Sequence, residues 1–197
     1  KVSNRNFGVG SDGLILINPS EKADFEMEMY NADGTRAEMC GNGIRCVAKY
    51  VHDKGLTDQT QFSIVSGGKV KYMDLTVENG ITKAIRVDMG EPELTSELPE
   101  KIHVNGENRE FVGISVGNPH AVYFTEEIDG LDLEKIGPAY ENHERFPNRV
   151  NSEFIELVSR DHIRMRVWER GSGETWACGT GATASAVASI LMGYTDP

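Results

Sequence analysis

The sequence predicts an α+β fold built from two similar halves, residues 1–113 and 114–197, and three observations carry that expectation. One short pattern occurs twice, as Cys40-Gly41-Asn42-Gly43 and as Cys178-Gly179-Thr180-Gly181, and each copy runs into a stretch able to form a helix. A polar residue stands nine positions ahead of each cysteine, Asn31 before Cys40 and Glu169 before Cys178, and each closes an apolar strand face. Asn79-Gly80 and Asn105-Gly106 lie between strand-forming runs, the strongest short-range signal for a hairpin. Duplication of one strand–loop–cysteine–helix unit explains the first two features together, although overall identity between the halves is low.

Taken in order, Asn4 to Ser11 is rich in Gly and Asn and reads as a loop, and Leu14-Ile15-Leu16-Ile17 reads as a short buried strand ended by Asn18-Pro19. Phe25 to Tyr30 alternates, with Phe25, Met27 and Met29 on one face and Asn31 closing that row. After Asp33-Gly34 turns the chain, the helix behind Gly43 runs to about Lys54, with Gly55 as its stop. Gln61 to Val65, Val70 to Val77, Ile81 to Met89, Ile102 to Val104 and Arg109 to Val112 read as strands, and Gly90 to Pro99 as a loop. The first half is therefore mostly antiparallel β with one helix. In the second, Ala121 to Phe124 is a strand, Leu131 to Tyr140 a helix weakened by Gly137-Pro138, and Phe154 to Val158 pairs with His162 to Glu169. Ile163, Met165 and Val167 share the face that ends at Glu169. Cys46 reads as a core residue of the first helix, and Trp168 and Trp176 as packing residues.

A net charge of -11 argues against nucleic acid as a partner, since phosphate binding needs clustered Lys and Arg. No apolar run approaches the roughly 20 residues of a membrane span. Three cysteines are too few for a disulfide scaffold, so a cytoplasmic location is expected. The chain begins at Lys1 without a Met and ends just after a helix, and it reads as part of a longer protein.

A cysteine placed just before a helix faces backbone N–H groups that have no partner inside the helix. Those donors and the helix dipole favour the thiolate, and such placement lowers a thiol pKa from about 8.5 to between about 3.5 and 7.5. A metal site would need three or four ligands in spacings that are absent here. A Cys40–Cys178 disulfide does not suit the cytoplasm, and a Cys/His hydrolase leaves the duplication unexplained. Two equivalent thiols suit inversion of a carbon bearing an acidifiable hydrogen, one sulfur removing a proton from one face and the other delivering one to the opposite face. Gly-x-Gly turns let backbone approach a substrate, and helix N-termini bind its carboxylate.

Five ordered blocks carry a resemblance. They are Asn31-Ala32-Asp33-Gly34, Glu38-Met39-Cys40-Gly41-Asn42-Gly43-Ile44-Arg45-Cys46, Gly117-Asn118-Pro119-His120, Glu169-Arg170-Gly171-Ser172-Gly173-Glu174-Thr175 and Ala177-Cys178-Gly179-Thr180-Gly181-Ala182. Together they resemble the diaminopimelate epimerase family. The resemblance implies two pseudo-symmetric domains, each an antiparallel sheet or barrel around a central helix, with the active site between them. It also implies a homodimer that interconverts LL- and meso-diaminopimelate, a small-molecule substrate, without cofactor or metal, in lysine and peptidoglycan precursor synthesis. Cys178 would be the proton acceptor toward the LL isomer and Cys40 the proton donor. Gly41, Asn42, Gly179 and Thr180 would hold the reacting carboxylate. Asn31, Asn118, Asn151, Glu169 and Arg170 would read the distal amino-acid group, with His120 and Glu169 tuning the thiols. The family's upstream Gly-Asn-Asp segment and its C-terminal strands have no counterpart in this sequence, and Gly13 stands where some members have Gln. Two rivals remain at this level. A proline or hydroxyproline racemase would have Cys-Gly-His-Gly where this chain has Asn42, and would lack an Arg170-type reader. A redox-switch binding protein would use the two thiols as a reversible disulfide.

Overall fold

The computed structural model describes residues 1–11, 13–37 and 40–197, with Ala37 described by its backbone. Glu38 and Met39, which belong to a block named above, and Asp12 lie outside the described residues. The chain divides into two compact units, Lys1–Met89 and Gly90–Pro197. The division falls earlier than residue 113 because the strand Glu107–Ser115 pairs with Pro119–Phe124, Val112 opposite Val122.

The first unit holds β1 (Gly13–Asn18), β2 (Phe25–Asn31), β3 (Arg36–Ala37), α1 (Gly41–Asp53), β4 (Gln61–Ser66), β5 (Lys69–Glu78) and β6 (Ile81–Val87). Its sheet runs β1-β2-β4-β5-β6, with β3 also paired to β2. All neighbours are antiparallel except β2 and β4, which α1 joins by the crossover that parallel strands need. Ile44, Val47, Ala48 and Val51 recur at helical spacing on α1 and pack on Met27, Phe62, Ile64, Met73 and Leu75. Full burial of a side chain such as Ile44 contributes about 1.5–3 kcal/mol. Cys46 lies off that stripe and is exposed, so it is not the core residue expected. The helix ends as its sequence indicates: Gly55 takes φ +69° and Leu56 N–H returns to the Val51 carbonyl at 2.8 Å. At the β5–β6 turn Asn79 and Gly80 both have positive φ, 53° and 75°, the geometry of a tight hairpin.

The second unit holds β7 (Glu93–Leu94), β8 (Glu100–Val104), β9 (Glu107–Ser115), β10 (Pro119–Phe124), α2 (Leu133–Glu141), β11 (Asn151–Ser159), β12 (His162–Glu169), β13 (Gly173–Thr175) and α3 (Gly179–Leu191). The sheet runs β13-β12-β11-β10-β9-β7, with β8 on β9. Here too one pair is parallel, β10 with β11, and α2 makes the crossover. Alternation along the strands feeds two cores. Val112, Ile114, Val122 and Ile155 meet Ala184 and Ala188 of α3, while Phe111, Tyr123 and Phe154 meet Leu133 and Tyr140 of α2. The Gly137-Pro138 step does not break α2: a Cβ at Gly137 would lie 2.3 Å from the Trp168 ring, so the glycine admits the indole. Trp168 packs as expected, whereas Trp176 is fully exposed.

The duplication is visible in the pairing itself. Cys178 follows Cys40 by 138 residues, and the same interval carries β1, β2, β3 and α1 onto β11, β12, β13 and α3. Leu14 faces Tyr30 as Ser152 faces Trp168, Ile17 faces Met27 as Ile155 faces Met165, and Met29 faces Ala37 as Val167 faces Thr175. Gly41–Asp53 maps onto Gly179–Leu191 with equal length. A one-residue slip would reverse every side chain between faces, so the shared register preserves the whole pattern.

Candidate active site

Each cysteine is the N-cap of its helix. Cys40 and Cys178 have extended backbones, φ -139° and -129°, and each sulfur accepts a backbone N–H three residues on: Gly43 N–H at 3.2 Å and Gly181 N–H at 3.3 Å. A Cβ at either donor would lie 3.2 Å from the sulfur, a tight contact that favours glycine at both positions. The same Cβ would meet Ile15 Cδ1 at 3.0 Å in the first copy and Glu153 Oε1 at 2.7 Å in the second. Ile15 and Glu153 are counterparts across the 138-residue interval, so an apolar side chain underlies one cysteine and a carboxyl underlies the other.

In the first unit Asn31 ends β2, and its backbone N–H and side-chain amide bond the Thr35 carbonyl and hydroxyl at 2.8 and 3.0 Å, shaping its own turn. Asn42 lies exposed on the first turn of α1, with its amide oxygen bonded to the Arg45 guanidinium. Gly41 is the first residue of the helix.

The second unit gathers more of the expected residues. Glu169, at the end of β12, accepts the Thr175 hydroxyl at 2.5 Å. Asn151 is buried; its Oδ1 accepts the Arg170 N–H at 2.9 Å and its Nδ2 donates to the Pro119 carbonyl at 3.0 Å. Arg170 also donates to the Asn148 carbonyl at 3.2 Å. His120 is buried and bonded through both ring nitrogens, to Glu153 at 2.7 Å and to Asn118 Oδ1 at 3.1 Å. Asn118 donates to Thr180 Oγ1 at 3.3 Å, and Thr180 Oγ1 lies 3.4 Å from Cys178 Sγ.

Two carboxyls that no motif singled out support this site. Glu153 is fully buried under Gly181. Glu141, at the end of α2 and also buried, accepts Trp168 Nε1–H at 2.7 Å, Gly171 N–H at 2.9 Å and Arg149 Nη1–H at 3.1 Å. It therefore holds the turn that presents Glu169 and Arg170. Strand parity offered a signal for Glu153, which lies opposite Val167 on the face continued by Ile155 and Met165.

The expected lowering of the thiol pKa fails at Cys178. Burial pushes this thiol up to about 11, the nearby Glu169 carboxylate adds to the rise, and the Thr180 hydroxyl and Gly181 N–H oppose it. The helix N-terminus is present, but desolvation of the charged form outweighs it. Below the midpoint the thiolate fraction falls tenfold per pH unit, so in the ligand-free protein the rate of Cys178 alkylation by iodoacetamide is expected to climb between about pH 7 and pH 10. Glu169→Gln removes a like charge and should move that midpoint down, as read by mass-spectrometric peptide mapping. A wild-type midpoint below about pH 8 would overturn the burial argument.

This architecture defines a class. A hydroxyproline epimerase from Agrobacterium vitis shares the fold at a TM-score of 0.73 with 16% identity, over 95% of this chain and 63% of that one. A methylitaconate-delta-isomerase shares it at 0.60 with 17% identity, over 94% and 69%. These likenesses are of fold, two similar halves each built from a sheet and its helices.

Within that class, the family model described as diaminopimelate epimerase matches residues 1–95 and 112–196. Relatives of that name are 52% identical in Agathobacter rectalis and 50% identical in Acetivibrio thermocellus, over 99% and 100% of this chain. A third, from Methanococcus maripaludis, is 50% identical over 98%. The chain spans about three quarters of the length of these relatives. It belongs to the diaminopimelate epimerase family.

Proposed function

We propose that the protein interconverts LL- and meso-diaminopimelate by two-base proton transfer that needs no cofactor. The observation that carries this reading is the pair of helix-capping cysteines in matched settings, 138 residues apart, in a chain about half identical to relatives of that name. In the LL-to-meso direction the Cys178 thiolate takes the α-hydrogen as a proton, so the C–H bond breaks, an S–H bond forms and the electron pair stays on the α-carbon. The Cys40 S–H bond then breaks and its proton adds to the opposite face of that carbon, leaving Cys40 as the thiolate. The reverse direction exchanges the roles.

Gly41, Asn42, Gly179 and Thr180 hold the reacting carboxylate, where helix N-terminal N–H groups stabilise the charge that develops on α-proton removal. Asn31, Asn118, Asn151, Glu169 and Arg170 read the distal amino-acid group. Arg170 forms a forked pair with its carboxylate and Glu169 holds its ammonium. Burial keeps Cys178 protonated in the ligand-free protein near neutral pH, so the LL isomer meets a base there only after that proton leaves. The substrate α-ammonium, brought close to the sulfur, favours that loss. A cytoplasmic homodimer is part of the same reading. The three free cysteines suit a reducing compartment.

Epimerisation of LL-diaminopimelate in D₂O by the full-length enzyme tests the proposal. Deuterium is expected at the inverted carbon of the meso product, because the delivering thiol exchanges with solvent. Product without deuterium would sink the two-base scheme.

A further inference from the structure

We propose that Glu153 is a positioning residue that acts through His120 and Asn118 to make the Thr180 hydroxyl a donor to Cys178 Sγ. The inference rests on the epimerase reading for its catalytic consequence, but the hydrogen-bonded chain stands on its own geometry. Its links are Glu153 Oε1 to His120 Nδ1 at 2.7 Å, His120 Nε2 to Asn118 Oδ1 at 3.1 Å, Asn118 Nδ2 to Thr180 Oγ1 at 3.3 Å, and Thr180 Oγ1 to Cys178 Sγ at 3.4 Å.

Donor and acceptor chemistry fixes the direction of this chain. An amide oxygen only accepts, so His120 Nε2 carries a hydrogen and donates to Asn118. The Asn118 amide then donates to Thr180 Oγ1, and the single hydroxyl hydrogen of Thr180 is left for the sulfur. The other end must keep Nε2 protonated. Glu153 and His120 side chains are both fully buried, and a net charge there is costly. The pair is neutral overall only if it holds two protons, one on Nε2 and one between Oε1 and Nδ1. Burial raises the Glu153 pKa, which agrees with the carboxyl keeping a proton. Its second oxygen, Oε2, is buried without a partner among the described residues, a state that a carbonyl oxygen tolerates better than a carboxylate oxygen does.

The ionisable groups near this chain are His120 and Tyr123 on β10, Glu153 on β11, Glu169 at the end of β12 and Cys178 before α3. Glu169 and burial both oppose a thiolate at Cys178, and the Thr180 donor offsets them in part. The first copy has Ile15 where the second has Glu153, and Asn42 where the second has Thr180, so this device serves one sulfur only.

The test is the pH midpoint of Cys178 alkylation in the ligand-free, full-length enzyme, a readout that needs no substrate and so separates failure of this inference from failure of the epimerase reading. Glu153→Gln mimics the protonated carboxyl, donates to Nδ1 as before, and is expected to leave the midpoint in place. Glu153→Leu frees His120 to lose its Nε2 hydrogen and should raise the midpoint by about one unit, the worth of one hydrogen bond to a charged group. Thr180→Val should give a similar rise, and the double variant should give no more than either alone. If Glu153→Leu does not fold, Asn118→Leu breaks the same chain and should also raise the midpoint. The opposite sign overturns the inference. Were Glu153 a bare negative charge beside the thiol, both Glu153→Gln and Glu153→Leu would lower the midpoint. An unchanged midpoint in Glu153→Leu, or in Asn118→Leu, overturns it equally.

Discussion

Replacing either Cys40 or Cys178 by serine is expected to cut epimerase turnover about 10³-fold while leaving the thermal midpoint nearly unchanged. The two halves of that expectation have separate causes. Each sulfur caps its helix by accepting a backbone N–H, from Gly43 or from Gly181. Serine is one of the best caps, because its oxygen accepts the same hydrogen bond at a normal length, so the fold is kept. A serine hydroxyl is a far weaker acid than a thiol, so the proton transfer it replaces is lost, and positioned acid–base groups contribute about 10²–10⁴-fold. Steady-state kinetics with the LL and meso isomers, alongside thermal unfolding, check both halves. Unchanged turnover in either variant would remove that cysteine from the chemistry. A collapsed midpoint would mean the sulfur is chiefly structural.

Glu141→Ala is the larger structural insult, although Glu141 lies in none of the motif blocks. Its carboxyl collects the Trp168 indole N–H, the Gly171 backbone N–H and the Arg149 guanidinium. Alanine leaves the buried Trp168 indole N–H without a partner, at about 1–3 kcal/mol, and forfeits the bonds from the exposed Gly171 N–H and the partly exposed Arg149, at about 0.5–1.5 kcal/mol each because those donors recover water. The expected loss is about 3 kcal/mol, or roughly 6–12 °C in Tm for a chain of this size. The same turn presents Glu169 and Arg170, so KM for diaminopimelate should rise severalfold at a temperature where the variant is still folded. Glu141→Gln keeps an acceptor and should fall between the two. Lost stability with an unchanged KM would reduce Glu141 to a purely structural role.

What the chain declares about itself is local. The Cys-Gly-x-Gly caps, the alternation of Phe25, Met27 and Met29, and the two Asn-Gly turns each depend on a few neighbouring residues, and each forms as read. Features that depend on distant partners were hidden. The β2–β4 and β10–β11 pairs are parallel across helices, and no short window announces which strand a crossover returns to. The cap position of Cys178 was legible but its depth was not, and depth decides the sign of its pKa shift. Cys46 could have been placed correctly, since it falls off the stripe of Ile44, Val47, Ala48 and Val51. Trp176 shows the limit of reading an aromatic as packing from its type alone. Glu153 and Glu141 escaped because an isolated acid looks like solvated surface until the groups opposite it are known.

The constant interval between the two copies has a consequence for what evolution can reach. A pair of identical chains related by a twofold axis must repeat every substitution, so neither partner can change alone. Two copies joined in one polypeptide are free of that obligation. Ile15 against Glu153, Asn31 against Glu169 and Asn42 against Thr180 are places where the freedom has been taken, while the cysteines and the glycines that receive them have stayed alike. A substrate with two stereocentres, only one of which is to be inverted, demands a catalyst that is even-handed at one atom and partial everywhere else. Fusion of a repeated module is a direct route to that combination.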